Sequence, residues 1–326
     1  MKKILGIGNA LVDIMIRIDD DRILTDLELP KGSMQLVDQE RSAKVLSATN
    51  HLTREIKSGG SAANTITGLA ELGLSTSFIA KITEDQMGEV FKNDLIRSNI
   101  KPKLQYSKTG TGTAVTLISK DSERTFATHL GASIELSAND LTDDLFQGSD
   151  LFYIEGYLVQ NHELLEKAVG LAKKNNQKIF LDLASYNVVE QNIDFLKHIL
   201  ENYVDVVFAN EEEAKAISGK EPQVAIVELA KYCEIAIVKI GSKGSLILTN
   251  NQLTEVGIIK ANSVDTTGAG DLYAAGFIYG FAHQASMETC GKLGSLLSGR
   301  VIENVGAKIN SAHWPELVKT ANSYLI

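Results

Sequence analysis

The stretch "NSVDTTGAGDLYAAGFIYGFA", Asn262 to Ala282, decides how this sequence is to be read. A polar turn carrying Gly268, Ala269 and Gly270 runs into an apolar helix pattern from about Asp271. Small residues let a backbone approach a ligand closely, and the first N–H groups of a helix have no internal partner. Together with the positive end of the helix dipole they predict a site for a phosphate-sized anion. Asp271 alone reads equally well as an acid that stabilises the helix start. The neighbouring Asp265, Thr266 and Thr267 shift the reading toward function. Nothing in the chain matches G-x-x-x-x-G-K-[ST], and "GIGNAL" (6–11) has Leu11 where a dinucleotide fingerprint needs its third glycine. Neither a P-loop nor a nicotinamide-dependent oxidoreductase fits.

Outward from this segment, short apolar runs alternate with helical patterns. "KILGIG" (3–8), "TSFIAKI" (76–82), "DLFYIEG" (150–156), "KIFLDL" (178–183), "VDVVFAN" (204–210) and "EIAIVKI" (234–240) have strand length. Helical stretches such as Glu163–Asn175 and Glu211–Ser218 separate the later ones. That rhythm predicts a parallel sheet buried on both faces. Two segments break it, 13–37 and 103–129, where "DIMIRID", "SMQLVD", "TAVTLIS" and "RTFATHL" alternate polar and apolar residues. Period two predicts half-exposed antiparallel strands. We read the two segments as one small sheet, either a lid over the mouth of the α/β domain or edge decoration. The expected division is a large domain of 1–12, 38–102 and 130–326 and a small β unit of 13–37 and 103–129.

The chain has 326 residues, with 32 Lys+Arg against 41 Asp+Glu and a net charge of −9. With 44% hydrophobic and 22% charged residues it has the composition of a soluble globular protein, long enough to bury its core without staples. The negative balance argues against nucleic-acid partners. Cys233 and Cys290 form no CxxC, which fits a reducing, cytoplasmic setting. The start "MKKILGIGNALVDI" reads as a strand rather than a signal peptide, and no apolar run is long enough for a membrane span.

"DTTGAGD" (265–271) resembles the C-terminal signature of the ribokinase-like, or PfkB, family of carbohydrate and nucleoside kinases. "SGGSAANTITGLAELG" (58–73) resembles the N-terminal Gly-Gly signature, "NEEE" (210–213) the N-x-x-E element, "VKIGSKGS" (238–245) the nucleotide loop and "ENVGAKI" (303–309) the late Gly-Ala turn. Five weak matches in family order make a strong one. "GNALVDI" (8–14), "GGSAAN" (59–64) and "ERTFATHLGAS" (123–133) look closest to the adenosine-kinase branch, which also holds bacterial sugar kinases. The resemblance implies a ribokinase-like three-layer α/β/α domain with a mainly parallel sheet and a small β lid. It also implies a kinase using ATP and Mg²⁺, with K⁺ in some relatives, acting on adenosine or on a sugar such as ribose, fructose or a keto-sugar acid. A silent nucleotide- or sugar-binding regulator is the reading from a different class.

On this resemblance Asp271 is the general base, and the N–H groups of Gly268, Ala269 and Gly270 hold the transferring phosphoryl group. A helix N-terminus should lower the carboxylate's pKa, so orienting the hydroxyl should matter more than basicity. Asn9, Asp13, Gly59, Gly60 and Asn64 would bind the acceptor. Arg124 would reach from the lid to the phosphate, or else be a solvated hairpin arginine. Lys239, Gly241, Gly244, Thr267 and Gly306 would shape the nucleotide site, although "GSKGS" also reads as a plain turn. Asn210 and Glu213 would bind Mg²⁺ through water, or simply form a capping box. Asp265 and Thr267 are candidates for a monovalent cation. Small-molecule partners are expected, and the lid is compatible with either a monomer or a homodimer.

Overall fold

The computed structural model describes residues 2–121 and 123–325. Its strands are β1 (Lys3–Ile7), β2 (Leu11–Arg17), β3 (Met34–Leu36), β4 (Arg54–Gly59), β5 (Ser75–Ile82), β6 (Ile100–Tyr106), β7 (Gly112–Ile118), β8 (Arg124–His129), β9 (Leu151–Glu155), β10 (Lys178–Asp182), β11 (Val206–Asn210), β12 (Ile235–Lys239), β13 (Ser245–Thr249) and β14 (Gln252–Val256). Nine form one sheet in the order β14-β13-β12-β11-β10-β9-β1-β5-β6, and five a second in the order β3-β8-β7-β2-β4. In the large sheet only β13 and β14 run antiparallel to their neighbours.

The apolar runs become central strands because both faces are covered. In β10, Phe180 packs into a core with Phe208, Phe277 and Leu272, while Ile179 and Leu181 pack into a second core on the opposite face. The helices Ser61–Glu71, Ala269–Ala282 and Met287–Val301 contribute to the first core, and His162–Lys174 and Ile193–Asn202 to the second. Two helices meet closely where Gly68 faces Ala275 and Leu272, since a Cβ there would come within 2.9 Å of either. No helix among the described residues is long and apolar enough to cross a membrane.

The order of strands reverses at β1, which has β5 on one side and β9 on the other. Crevices at such a switch point, beyond the carboxyl ends of the strands, are where α/β sheets bind ligands. The small sheet follows directly from β1 through β2, so it stands over that end.

The small sheet differs from the sequence expectation in three ways. It takes its edge strand β4 from 54–59, outside the expected segments, while residues 103–106 lie in β6 of the large sheet. "REIKSG" hides its strand character because charges flank its only apolar residue, Ile56. Pairing is mixed, with β2–β7 and β3–β8 parallel. Finally, β7 is buried along its whole length rather than half-exposed, because the helix Gln39–Ala48 covers the small sheet at β7 and β8.

Candidate active site

Four adjacent parallel strands end on polar residues: Glu155 closes β9, Asp182 β10, Asn210 β11 and Lys239 β12. Each follows an apolar run whose burial leaves only the last position free to face the crevice. Two helix N-termini, at Ser61 and Ala269, point into the same space.

Asp271 sits in the first turn of Ala269–Ala282, whose N-cap Gly268 has φ +77°. A side chain at Gly268 would press on Ala307, within 2.7 Å. Among the described residues the Gly270 and Asp271 N–H groups meet no acceptor, which leaves them directed at the crevice. The Asp271 carboxylate accepts from Ser61 Oγ at 2.7 Å and from Asn64 Nδ2 at 2.9 Å. Contrary to the dipole expectation, its pKa is raised to about 6. Burial dominates, and the donors from Asn64 and Ser61 only partly offset it. Asn64 is 6% exposed, so it orients Asp271 with its amide nitrogen while its Oδ1 stays buried without a partner.

Asp13 lies on β2 across the crevice, with its pKa also raised to about 6 by burial, against the lowering effect of Lys308. Gly59 leaves room for it, since a Cβ there would run into the Asp13 carboxylate. Gly60 has φ +96° and turns the chain from β4 into the helix Ser61–Glu71; a Cβ would collide with the Asn9 carbonyl. Asn9 does not face the crevice freely. Its backbone N–H and Nδ2 both donate to Glu155 Oε1, at 2.9 and 2.6 Å, while Glu155 Oε2 accepts from Ala62 N at 2.9 Å. Glu155 is 1% exposed, and burial pushes its pKa up to about 7. It ties the end of β1 to the start of the Gly-Gly helix.

Arg124 does reach from the small sheet into the large domain. It donates to Thr267 Oγ1 at 2.9 Å and pairs with Asp265, whose carboxylate also accepts from Thr267 N (3.0 Å), Thr267 Oγ1 (2.7 Å) and the Gly306 N–H. Burial would raise the Asp265 pKa, but these donors, Arg124 first, hold it below the usual range. The candidate monovalent-cation residues Asp265 and Thr267 are thus joined to an arginine. Gly306, at φ +85°, brings its N–H to them.

Lys239 does more than shape a loop. Its Nζ donates to Asp182 Oδ2 at 2.8 Å. Burial pulls its pKa down, but Asp182, Glu213 and Asp271 outweigh that and raise it. The cation lies next to Gly270, where a Cβ would come within 3.1 Å of Nζ. Asn210 and Glu213 form the capping box of the helix Glu211–Ser218: Asn210 Oδ1 accepts from Glu213 N, and Glu213 accepts from Asn210 N, each at 2.8 Å. Glu213 is 2% exposed, with its pKa raised to about 7 by burial and by Asp182. Gly241 and Gly244 make the turn between β12 and β13, closed by Ile240 N to Gly244 O at 2.8 Å.

Residues 34–314 match the pfkB family of carbohydrate kinases. The chain belongs to that family. It resembles a crystal structure described as a probable sugar kinase from Rhizobium etli, with a TM-score of 0.88, 31% identity and coverage of 100% of this chain and 99% of the other. The structure of an adenosine kinase from Sinorhizobium meliloti gives a TM-score of 0.86 and 33% identity over 99% of both chains. A 5-dehydro-2-deoxygluconokinase from Geobacillus thermodenitrificans is 30% identical over 68% of this chain and 71% of the relative. This pfkB-family chain is a phosphotransferase with an alcohol acceptor, and it has the mixed α/β fold expected of a ribokinase-like protein.

Four residues of this kinase's crevice escaped the sequence reading. Glu155 and Asp182 were visible as lone acids closing apolar strands, and Ser61 stood inside a quoted motif. Lys308 had no local signal, since it meets Ser58 from 250 positions away.

Proposed function

We propose that this kinase transfers the γ-phosphoryl group of ATP to a primary hydroxyl of a ribofuranoside, adenosine first among them. The observation that carries the reading is Asp271: a carboxyl of pKa about 6, held by Ser61 and Asn64, beside the unpartnered N–H groups of a helix start. Such a group is ionised at neutral pH yet basic enough to accept a hydroxyl proton. The free N–H groups of Gly268, Gly270 and Asp271 would receive the phosphoryl oxygens, with Arg124 adding positive charge from the small sheet; the Ala269 N–H, expected to share that role, instead donates to the Thr266 carbonyl at 3.1 Å and closes the turn. Asp13 and the orphaned Asn64 Oδ1 would accept hydrogen bonds from the acceptor's other hydroxyls. Asn9 would take part from its place on Glu155, and Gly59 and Gly60 would give the acceptor access to the backbone. Lys239, Gly241, Gly244, Thr267 and Gly306 would border the nucleotide.

Mg²⁺ would neutralise charge between the β- and γ-phosphate oxygens. Among the described residues no three His, Cys, Asp or Glu side chains are grouped to cage a metal. That donor set suits an ion held by phosphate oxygens and water, with Asn210 and Glu213 touching its water shell. Asp265 and Thr267 would be the place for K⁺, although the Arg124 guanidinium already supplies a positive charge there.

Full-length likeness to the S. meliloti adenosine kinase supports adenosine. A sugar or keto-sugar acid is the second reading, supported by the R. etli and G. thermodenitrificans relatives. ADP release from Mg·ATP, screened against nucleosides and sugars, tests both. Adenosine should give the highest kcat/KM; a sugar as clear winner selects the second reading, and no turnover with any acceptor contradicts both.

A further inference from the structure

Asp265 heads the turn that leads into Gly268, and its carboxylate is crowded with donors. Oδ1 accepts from Thr267 N at 3.0 Å and from Thr267 Oγ1 at 2.7 Å, while Oδ2 accepts from the Gly306 N–H and pairs with Arg124 Nη1. A carboxylate offers about four lone-pair sites, so all of them are taken. Thr267 Oγ1 spends its one hydrogen on Asp265 and accepts from the same Nη1 at 2.9 Å. The pair is closed off from water: the Asp265 side chain is 6% exposed and that of Arg124 14%. Burial works against the ionised carboxylate, and Arg124 is the strongest of the groups that offset it.

K⁺ is held by oxygen atoms that replace its hydration shell. Around Asp265 the fold presents the reverse. Two N–H groups and a hydroxyl point their hydrogens at the carboxylate, and a guanidinium already stands in the cation's place. A K⁺ ion there would have to take a lone pair from one of these donors and lie beside a like charge with little water to screen it. Asp265 and Thr267 therefore do not fit K⁺ while Arg124 is in position.

We propose that Arg124 is the resident cation of this turn: the guanidinium carried in by the small sheet stands where a monovalent ion would, so that the chain needs no K⁺ to hold the turn Asp265–Gly268 in shape. Val264 N and Asp265 N both donate to the Ile302 carbonyl, at 2.7 and 3.1 Å, which ties one side of the turn to the end of the helix Met287–Val301. Arg124 holds the other side from β8. Among the described residues only Nη1 of the guanidinium meets a side-chain partner. Nε and Nη2 are left for an incoming phosphoryl oxygen in the proposed function, as a planar fork of five N–H donors allows. One arginine can thus hold the turn and meet the phosphate, which a bare ion bound to Asp265 could not do. Carrying the cation on the small sheet also means that the Asp265 charge is balanced only when that sheet is seated on the large domain.

Thermal melts of the full-length protein, with no ATP or acceptor present, test this in KCl, NaCl and tetramethylammonium chloride at equal concentration. Wild type should melt at one Tm in all three salts. Arg124→Met vacates the place, so its Tm should fall in tetramethylammonium, an ion too large to enter. It should recover by about 2–4 °C when K⁺ is about ten-fold above its Kd. That recovery should vanish in Arg124→Met/Asp265→Asn. A K⁺-specific rise in wild type that is lost in Asp265→Asn overturns the proposal. So does a folded Arg124→Met protein whose Tm falls equally in all three salts, the mark of an ordinary structural ion pair. Should Arg124→Met not fold, Arg124→Gln repeats the measurement, and the wild-type melts decide on their own. Because the melts contain no substrate, an acceptor screen that finds no turnover would overturn the functional reading and leave the role of Arg124 at this turn to be decided separately.

Discussion

Asp271 shows how opposing effects on one side chain are ranked. A helix start favours the ionised carboxylate by about 0.3–1 kcal/mol at an exposed site, whereas desolvation shifts buried groups by up to several pH units. Burial wins, and the pKa rises to about 6. From the sequence only the dipole was legible, so the direction was misjudged. In the proposed role the base must be ionised, so kcat/KM, which reports the free enzyme, should fall as pH drops through about 6 and hold flat above pH 7; a kcat/KM–pH profile without that acidic limb would contradict the role of Asp271. Lys239 is the complementary case. Its side chain is 16% exposed and that of Asp182 6%, so Lys239→Met leaves Asp182, Glu213 and Asp271 without their shared cation. Breaking such a buried pair costs about 3–5 kcal/mol, which chemical denaturation should detect as a lowered midpoint. Asp271 should also titrate higher in that variant, since Lys239 is among the groups that lower its pKa.

At the scale of elements, the strands of the large sheet were legible because burial on both faces leaves an unbroken apolar run, as in "KIFLD" and "EIAIVKI". The two signature helices were legible from their glycines. What the sequence concealed was β4, whose charges mask its period, and the covering of β7 by the helix Gln39–Ala48. Long-range pairing decides both, and local pattern carries no trace of it. The Gly-Gly bend gives the sharpest element-scale prediction. Gly60→Ala meets a φ of +96° and the Asn9 carbonyl, whereas Gly148, at φ +76°, has no neighbour within 4 Å of a built Cβ. Strained φ alone costs about 1–3 kcal/mol, so Gly148→Ala should lose only that in a thermal melt. Gly60→Ala should lose more and raise the acceptor KM as well, because the bend presents Ser61 and Asn64 to Asp271. Equal losses at the two positions would contradict this account of the bend.

For the whole molecule, the net charge of −9 proved uninformative about the crevice. In the proposed function, anion affinity there would come from helix N–H groups and Arg124, set among acids that burial holds partly protonated. Asp13 and Asp271 at about 6, with Glu155 and Glu213 at about 7, all titrate above their ordinary values of 3.8 and 4.5. Above about pH 5, where the carboxylates whose pKa is lowered by ion pairs, Asp265 among them, are ionised in both states, the folded state thus binds more protons than the unfolded one, and these four acids make stability fall as pH rises to about 7. The Tm should accordingly be higher near pH 5.5 than at pH 8; a Tm that rises over that interval would show these acids to be solvated. The central claim is that the helix start at Gly268–Asp271 carries out phosphoryl transfer to an alcohol. Its most direct test is phosphorus-31 NMR of Mg·ATP with adenosine, comparing wild type with Asp271→Asn. Wild type should yield ADP and AMP in equal amounts, and Asp271→Asn should do so about 10²–10⁴-fold more slowly with acceptor binding retained. A variant that turns over at the wild-type rate would contradict the claim.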